Sequence, residues 1–234
     1  MSDSTTESAP PSQPTTSASV NFFSLPIAIR NHIYKRVLAV PHPLYLFQDT
    51  GSRVEVFAPE RPRQWLALLY TNRQISDDAR AILYAVNKFT VEEVGPSQHP
   101  GNLLKSFLDC IGSVNAGFLS HLCITFPALE RVEGRSGEIR LAEGGFQNLQ
   151  RLQKECCKLR TLETLVYGKT SGDLFQEDLN NNQFLREVLM EIDTQLRGID
   201  SLEKIIVRIS SGSPAPSVRE FLQGFGWVVS PGKC

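Results

Sequence analysis

The chain has 234 residues, 41% of them hydrophobic, and a net charge of −1 from 24 basic and 25 acidic side chains. That is enough apolar surface for one ordinary domain, or for a small module fused to another. The near-neutral balance provides no overall field to gather nucleic acid or an anionic membrane, and no apolar run approaches the length of a membrane span.

Residues 1–20 are Ser, Thr, Pro and Gln with almost no large apolar side chain. Such a segment cannot offset its ordering entropy and is expected to be disordered. It lacks the basic start and apolar core of a signal peptide, and Asp3 and Glu7 without any Arg argue against a transit peptide. Folding is expected to begin at residues 21–38. Ser24 or Leu25 can cap a helix there, and Pro26 suits its first position. Ile29, Ile33 and Val37 recur at four-residue spacing, with Tyr34 and Leu38 one step round, which predicts one buried face.

Pro41 and Pro43 force an extended turn. Residues 44–47 and 53–57 then flank a turn in which Gly51 can take positive φ, and together they predict a hairpin. Residues 58–63 read as a linking loop and 64–70 as a short helix around Trp65, Leu68 and Leu69. The next predicted helix buries Ile75, Ala79, Ile82, Leu83 and Val86, and Lys88 lies further along it. Asp77 and Asp78 are expected in its first turn, where they favour the dipole. Adjacent helical residues point about 100° apart, so these two carboxylates cannot share a proton. Arg73, between two helices, reads as a structural tie to helix-end carbonyls.

Two blocks in this region resemble a known family. Leu25-Pro26-x-x-Ile29-Arg30-x-x-Ile33-Tyr34 is similar to the opening of the F-box and of its fungal F-box-like relatives. The second block, residues 68–89, resembles the segment that follows in those proteins: a short apolar helix, then Asn72-Arg73-Gln74-Ile75, then a helix ending in Leu83-Tyr84 and Asn87-x-Phe89. The resemblance covers Phe22 to Val91, under a third of the chain. It implies a module that binds the small adaptor Skp1 in a ubiquitin-ligase scaffold while the rest of the chain recruits a client. Leu25, Pro26, Ile29 and Ile33 would then be the adaptor contacts. The same four residues would serve equally to pack against the chain's own later helices. Two features depart from the family pattern: an often acidic position is Ala28, and residues 41–63 insert a hairpin.

Beyond Val91 a helix-then-strand pattern recurs. Helices are predicted at 103–111, 146–159, 182–197 and 218–223, and strands at 119–126, 162–167, 202–209 and 227–229. The strand openings Leu119-Ser-His-Leu122, Leu162-Glu-Thr-Leu165 and Leu202-Glu-Lys-Ile205 align at roughly forty-residue intervals, which implies parallel strands joined by helical crossovers. This resembles the irregular leucine-rich-repeat-like regions of many F-box proteins. The expected fold is therefore α+β to α/β. A tail (1–20) precedes an F-box-like helical module with an inserted hairpin (21–95), and an open α/β repeat region with mainly parallel strands (96–234) packs with it as one unit. The polar connections 127–145 and 168–181 are the places to look for client contacts.

No chemistry surfaces. The sequence has no nucleophile elbow, no phosphate loop and no H-E-x-x-H, and its four histidines are scattered without ligand spacing. His121 reads as a satisfied core or edge histidine. No zinc finger, aromatic RNA motif or basic face is evident, so nucleic acid is not an expected partner. The five cysteines lack a pairing pattern and suggest reduced thiols in the cytoplasm or nucleus, with Cys110, Cys123 and Cys156 as small buried hydrophobes. The expectation is a non-enzymatic interaction protein without cofactor or metal, resembling F-box adaptors. The alternative is a fungal F-box-like protein whose module is structural and whose loops bind another protein. An adaptor-binding helix must leave an apolar stripe free; a structural one is covered by the hairpin at 44–57.

Overall fold

The computed structural model describes residues 21–49, 52–59, 64–91, 102–132, 138–167, 175–210 and 212–232. The expected tail at 1–20 and the turn at Gly51 lie outside them. The described residues form six α-helices and nine strands: α1 (Ile27–Leu38), β1 (Leu44–Phe47), β2 (Glu55–Phe57), α2 (Arg73–Val86), β3 (Lys88–Val91), α3 (Asn102–Ala116), β4 (His121–Thr125), β5 (Leu129–Arg131), β6 (Ile139–Leu141), α4 (Glu143–Glu155), β7 (Thr161–Val166), α5 (Gln183–Arg197), β8 (Lys204–Ile209), α6 (Pro216–Gly224) and β9 (Val228–Pro231). No described helix is long and apolar enough to cross a membrane.

Seven strands form one sheet in the order β2-β1-β3-β4-β7-β8-β9, and β5 pairs with β6 in a separate hairpin. Within the seven-stranded sheet only β2 runs antiparallel to its neighbour and every other pair is parallel; the β5–β6 pair is antiparallel. With β2 and the β5–β6 pair set aside, each new strand of the sheet lies beside the last, and successive helices α1 to α5 touch along the sheet. The expected parallel α/β architecture is thus present. The N-terminal segment, however, is no separate helical module: β1, β2 and β3 extend the same sheet. Residues 88–91 form β3, where a continuing helix was expected, because Asn87 leaves α2 in an extended conformation (φ −103°, ψ 152°).

Alternation along the strands sorts the side chains. Phe89, Leu122, Ile124, Leu162, Val166, Val207 and Ile209 are buried on the helix side. There Phe89 stacks on Tyr84 of α2 and meets Phe107 of α3, with ring centroids 5.4 and 5.6 Å apart. Lys88, Thr90, His121, Cys123, Thr125, Glu163, Ile206 and Arg208 point the other way.

Local chemistry sets the helix ends. Asn72 caps α2, its Oδ1 accepting from the N–H of Ile75 at 3.0 Å, and Asn182 caps α5 the same way through Leu185. Replacing Asn72 by Ala should cost about 1 kcal/mol and lower the thermal midpoint, while Asp at the same site should be nearly neutral. Gly112 breaks α3 with a φ of 75°, a left-handed conformation that a residue with a Cβ adopts only with strain.

Several expectations are corrected. Pro26 is the residue before α1, with non-helical ψ of 144°, and a 3-10 turn at Phe22–Ser24 precedes it. The buried side of α1 is Tyr34 and Leu38, not the Ile29, Ile33 and Val37 stripe. Asp77 and Asp78 lie beyond the first turn of α2 and form ion pairs with Arg73 and Arg30 at 3.9 and 3.5 Å. The Arg73 side chain is 97% exposed and ties no carbonyls. Residues 127–145 are not one long loop: they hold the β5–β6 hairpin and the start of α4. Cys123 and Cys156 are buried as expected, and burial pushes the Cys156 thiol up to about 12, but Cys110 is exposed and Cys123 is disulfide-bonded where a reduced thiol was expected.

Candidate functional site

Three surfaces compete for function. The first is the outer side of α1. Its helix is held from below by Asn87, whose Nδ2 donates to Leu38 O at 3.0 Å and Leu83 O at 2.9 Å and whose Oδ1 accepts from Val40 N at 2.8 Å. Phe22 packs against Tyr34 from the preceding turn, the two rings tilted by 59° with centroids 5.9 Å apart. Arg30, with a side chain only 12% exposed, turns inward to Asp78 of α2. These contacts fix the rotation of α1 and leave its apolar residues outside. Ile27 is 52% exposed, Ile29 49%, and Val37 36%. Of the four residues named from sequence, Pro26 and Ile29 are exposed, and Leu25 and Ile33 are half-buried. Pro26 and Ile29 stay exposed in the presence of the hairpin β1–β2.

The second surface is the sheet side opposite the helices. Glu163, in the middle of β7, is 2% exposed. Three donors from three other strands reach it: Lys88 Nζ of β3 at 2.8 Å, His121 Nε2 of β4 at 2.7 Å, and Arg208 Nε of β8. The register explains the convergence. Glu163 lies opposite Cys123 and Ile206, so His121 and Arg208 are its diagonal neighbours on the same face, and Lys88 faces His121 one strand further. Burial alone would raise the Glu163 carboxyl; the hydrogen bonds from His121, Lys88 and Arg208 outweigh it and hold the group well below the usual carboxylate range. A general acid or base needs a pKa near the working pH. Glu163 is driven the opposite way, so the cluster acts as an ionic clamp across four strands.

The cluster has no counterpart in the sequence reading. The three donors lie 42 to 75 residues from Glu163 in the sequence. The one available signal is a charge in the centre of a strand, Leu162-Glu163-Thr164-Leu165, where a parallel core strand otherwise carries apolar residues. His121, expected to be a satisfied histidine, is indeed hydrogen-bonded, and its partner is this glutamate.

The third surface brings together the two connections expected to meet a client. Arg131 of β5 pairs with Glu177 at 2.5 Å, and Arg140 of β6 pairs with Glu130 at 2.6 Å. The hairpin and the segment at 175–182 therefore meet beyond the carboxyl ends of β4 and β7. Beside them, Leu179, Asn180, Gln183, Arg186, Glu187 and Met190 line an open groove of about 420 Å3. Among the described residues, no group of three His, Cys, Asp or Glu side chains is placed to hold a metal ion.

Comparison with known proteins adds no relative: no family model, curated protein or solved structure matches this chain.

Proposed function

We propose that this chain is a non-enzymatic interaction protein that docks a Skp1-type adaptor through the outer side of α1, as the F-box resemblance implies. The supporting observation is the exposure of Pro26 and Ile29, with Ile27 and Val37 beside them, on a helix whose other side is fully engaged. Burying an exposed Ile on a partner contributes roughly 1.5–3 kcal/mol, so two or three such anchors carry an interface. Clients would meet the β5–β6 hairpin and the neighbouring 175–182 segment, at the far ends of the strands. The reading places the chain in the cytoplasm or nucleus, which the free thiols Cys110, Cys156 and Cys157 fit better than the Cys123 bond does.

The test is co-expression of the full chain with a fungal Skp1, followed by size-exclusion chromatography. A one-to-one complex is expected. Pro26→Ala with Ile29→Asp should abolish it while circular dichroism and the thermal midpoint stay close to wild type, because neither side chain is buried. A variant that precipitates or loses helicity would show these residues to be core and would sink the idea.

A further inference from the structure

The outer side of α1 is divided. At about 100° per residue, Ile29, Ile33 and Val37 spread to one side of the outward arc, and Arg36, His32 and Lys35 spread to the other. All three of the latter are exposed. Arg36 Nε donates to His32 Nε2 at 3.4 Å, so the row is continuous along the helix. Residues 21–48 contain Arg30, Lys35 and Arg36 and no Asp or Glu, in a chain whose net charge is −1. Arg30 is turned away to Asp78. The nearby Asp77 is already beside Arg73. The basic row is therefore unanswered by α1 itself.

We infer that the partner of α1 is a protein groove with an apolar floor and one acidic wall, the floor taking Ile29, Ile33 and Val37 and the wall facing His32, Lys35 and Arg36. This rests on the adaptor reading above and gives the chemistry of that adaptor's surface. A second copy of this chain is the wrong occupant, because two copies of this surface bring like charges together. A lipid surface is also a poorer match. A flat anionic membrane favours cations on both borders of an apolar stripe, and here the other border is Arg30, drawn inward against α2. Ala28, on the same side of the helix, adds no acid to oppose the row.

The experiment titrates the full chain with purified fungal Skp1 at about 0.05 M and about 0.5 M salt, screening being weak at the first and strong at the second. Lys35→Glu with Arg36→Glu is expected to weaken binding by about tenfold or more at low salt, with the difference closing at high salt. Ile29→Asp is expected to remove binding at both. If the complex forms and Ile29→Asp breaks it, but the charge reversal and salt do nothing, the acidic wall is wrong and the adaptor reading stands. If the wild-type chain forms no complex, both fail. Vesicles containing phosphatidylserine are the control: binding to them, lost on the same charge reversal and unaccompanied by any Skp1 complex, would assign this surface to lipid and overturn the inference.

Discussion

Glu163→Ala will destabilise the fold by about 3–5 kcal/mol, the range expected when one partner of a buried ion pair is removed. The reason lies in what remains. Lys88 and Arg208 keep side chains only 16% and 24% exposed, and without the carboxylate both charges stay largely dehydrated and unpaired. Urea unfolding at neutral pH measures the loss as a fall in midpoint. Glu163→Gln keeps the shape and an acceptor oxygen and should lose less. A change below about 1 kcal/mol for Glu163→Ala would mean that both cations swing into water, and that the clamp holds nothing. The pH dependence has a definite sign. The folded carboxyl lies below its ordinary value of 4.5, so its stabilisation is complete above that value and is lost as the pH falls below it towards the folded pKa. Wild type should therefore lose stability below pH 4.5 more steeply than Glu163→Gln, which carries no such proton.

Asn87→Ala ranks second, at about 2–4 kcal/mol, because it strands buried backbone groups as well as deleting their bonds. The side chain is 1% exposed and holds Leu38 O, Leu83 O and Val40 N together. Asn87→Asp should be worse than Ala. A carboxylate is acceptor-only, and it would face two carbonyl oxygens where the amide now donates. Hydrogen exchange should show the loss concentrated in the last turn of α1 and the residues after it, while β4 and β7 keep their protection. The proposed adaptor complex should weaken in the same variants, since Asn87 holds the end of α1. Equal loss of protection across the whole sheet would mean that Asn87 supports the fold globally and not α1 in particular.

The helix–strand alternation beyond Val91 was legible because each element carries its own period. The 3.6-residue stripe of α5 and the short apolar runs of β4, β7 and β8 are local properties of the chain. The register between strands is not local, and the alignment by openings slipped. In the structure His121 pairs with Thr161 and Leu162 with Ile205, so Leu119 and Leu202 correspond to Leu159, three residues before the Leu162 chosen from sequence. The slip arose because Leu159, Leu162 and Leu165 repeat every third residue, and such a run matches itself when shifted by three. An odd shift also inverts the two sides of a strand. Glu163 then falls on the same side as Leu122, and its convergence with His121 and Arg208 cannot be seen. The stripe of α1 failed for a different reason. Periodicity shows that a helix has an apolar side, not that the side is buried. The inward direction was fixed by Arg30 and Asn87, whose polar ties to Asp78, Val40 and the ends of α1 and α2 are tertiary, and by the packing of the buried Tyr34 ring.

The order in which the strands add also bears on how this chain can be made. In the run β1, β3, β4, β7, β8, β9, every strand finds its neighbour already synthesised when it leaves the ribosome, and each waits with an open edge only for the next strand of the sheet. Sheets that fill from the middle or reverse direction require early strands to wait with an unpaired edge, which exposes them to association with other chains. Here the exposed edge moves forward with synthesis and is only ever one strand wide. On its other side β1 is paired by β2, a three-residue strand that remains the fixed edge of the sheet. A nascent chain of this design is self-templating from its first hairpin onward, and at each length it presents one growing margin to the cell.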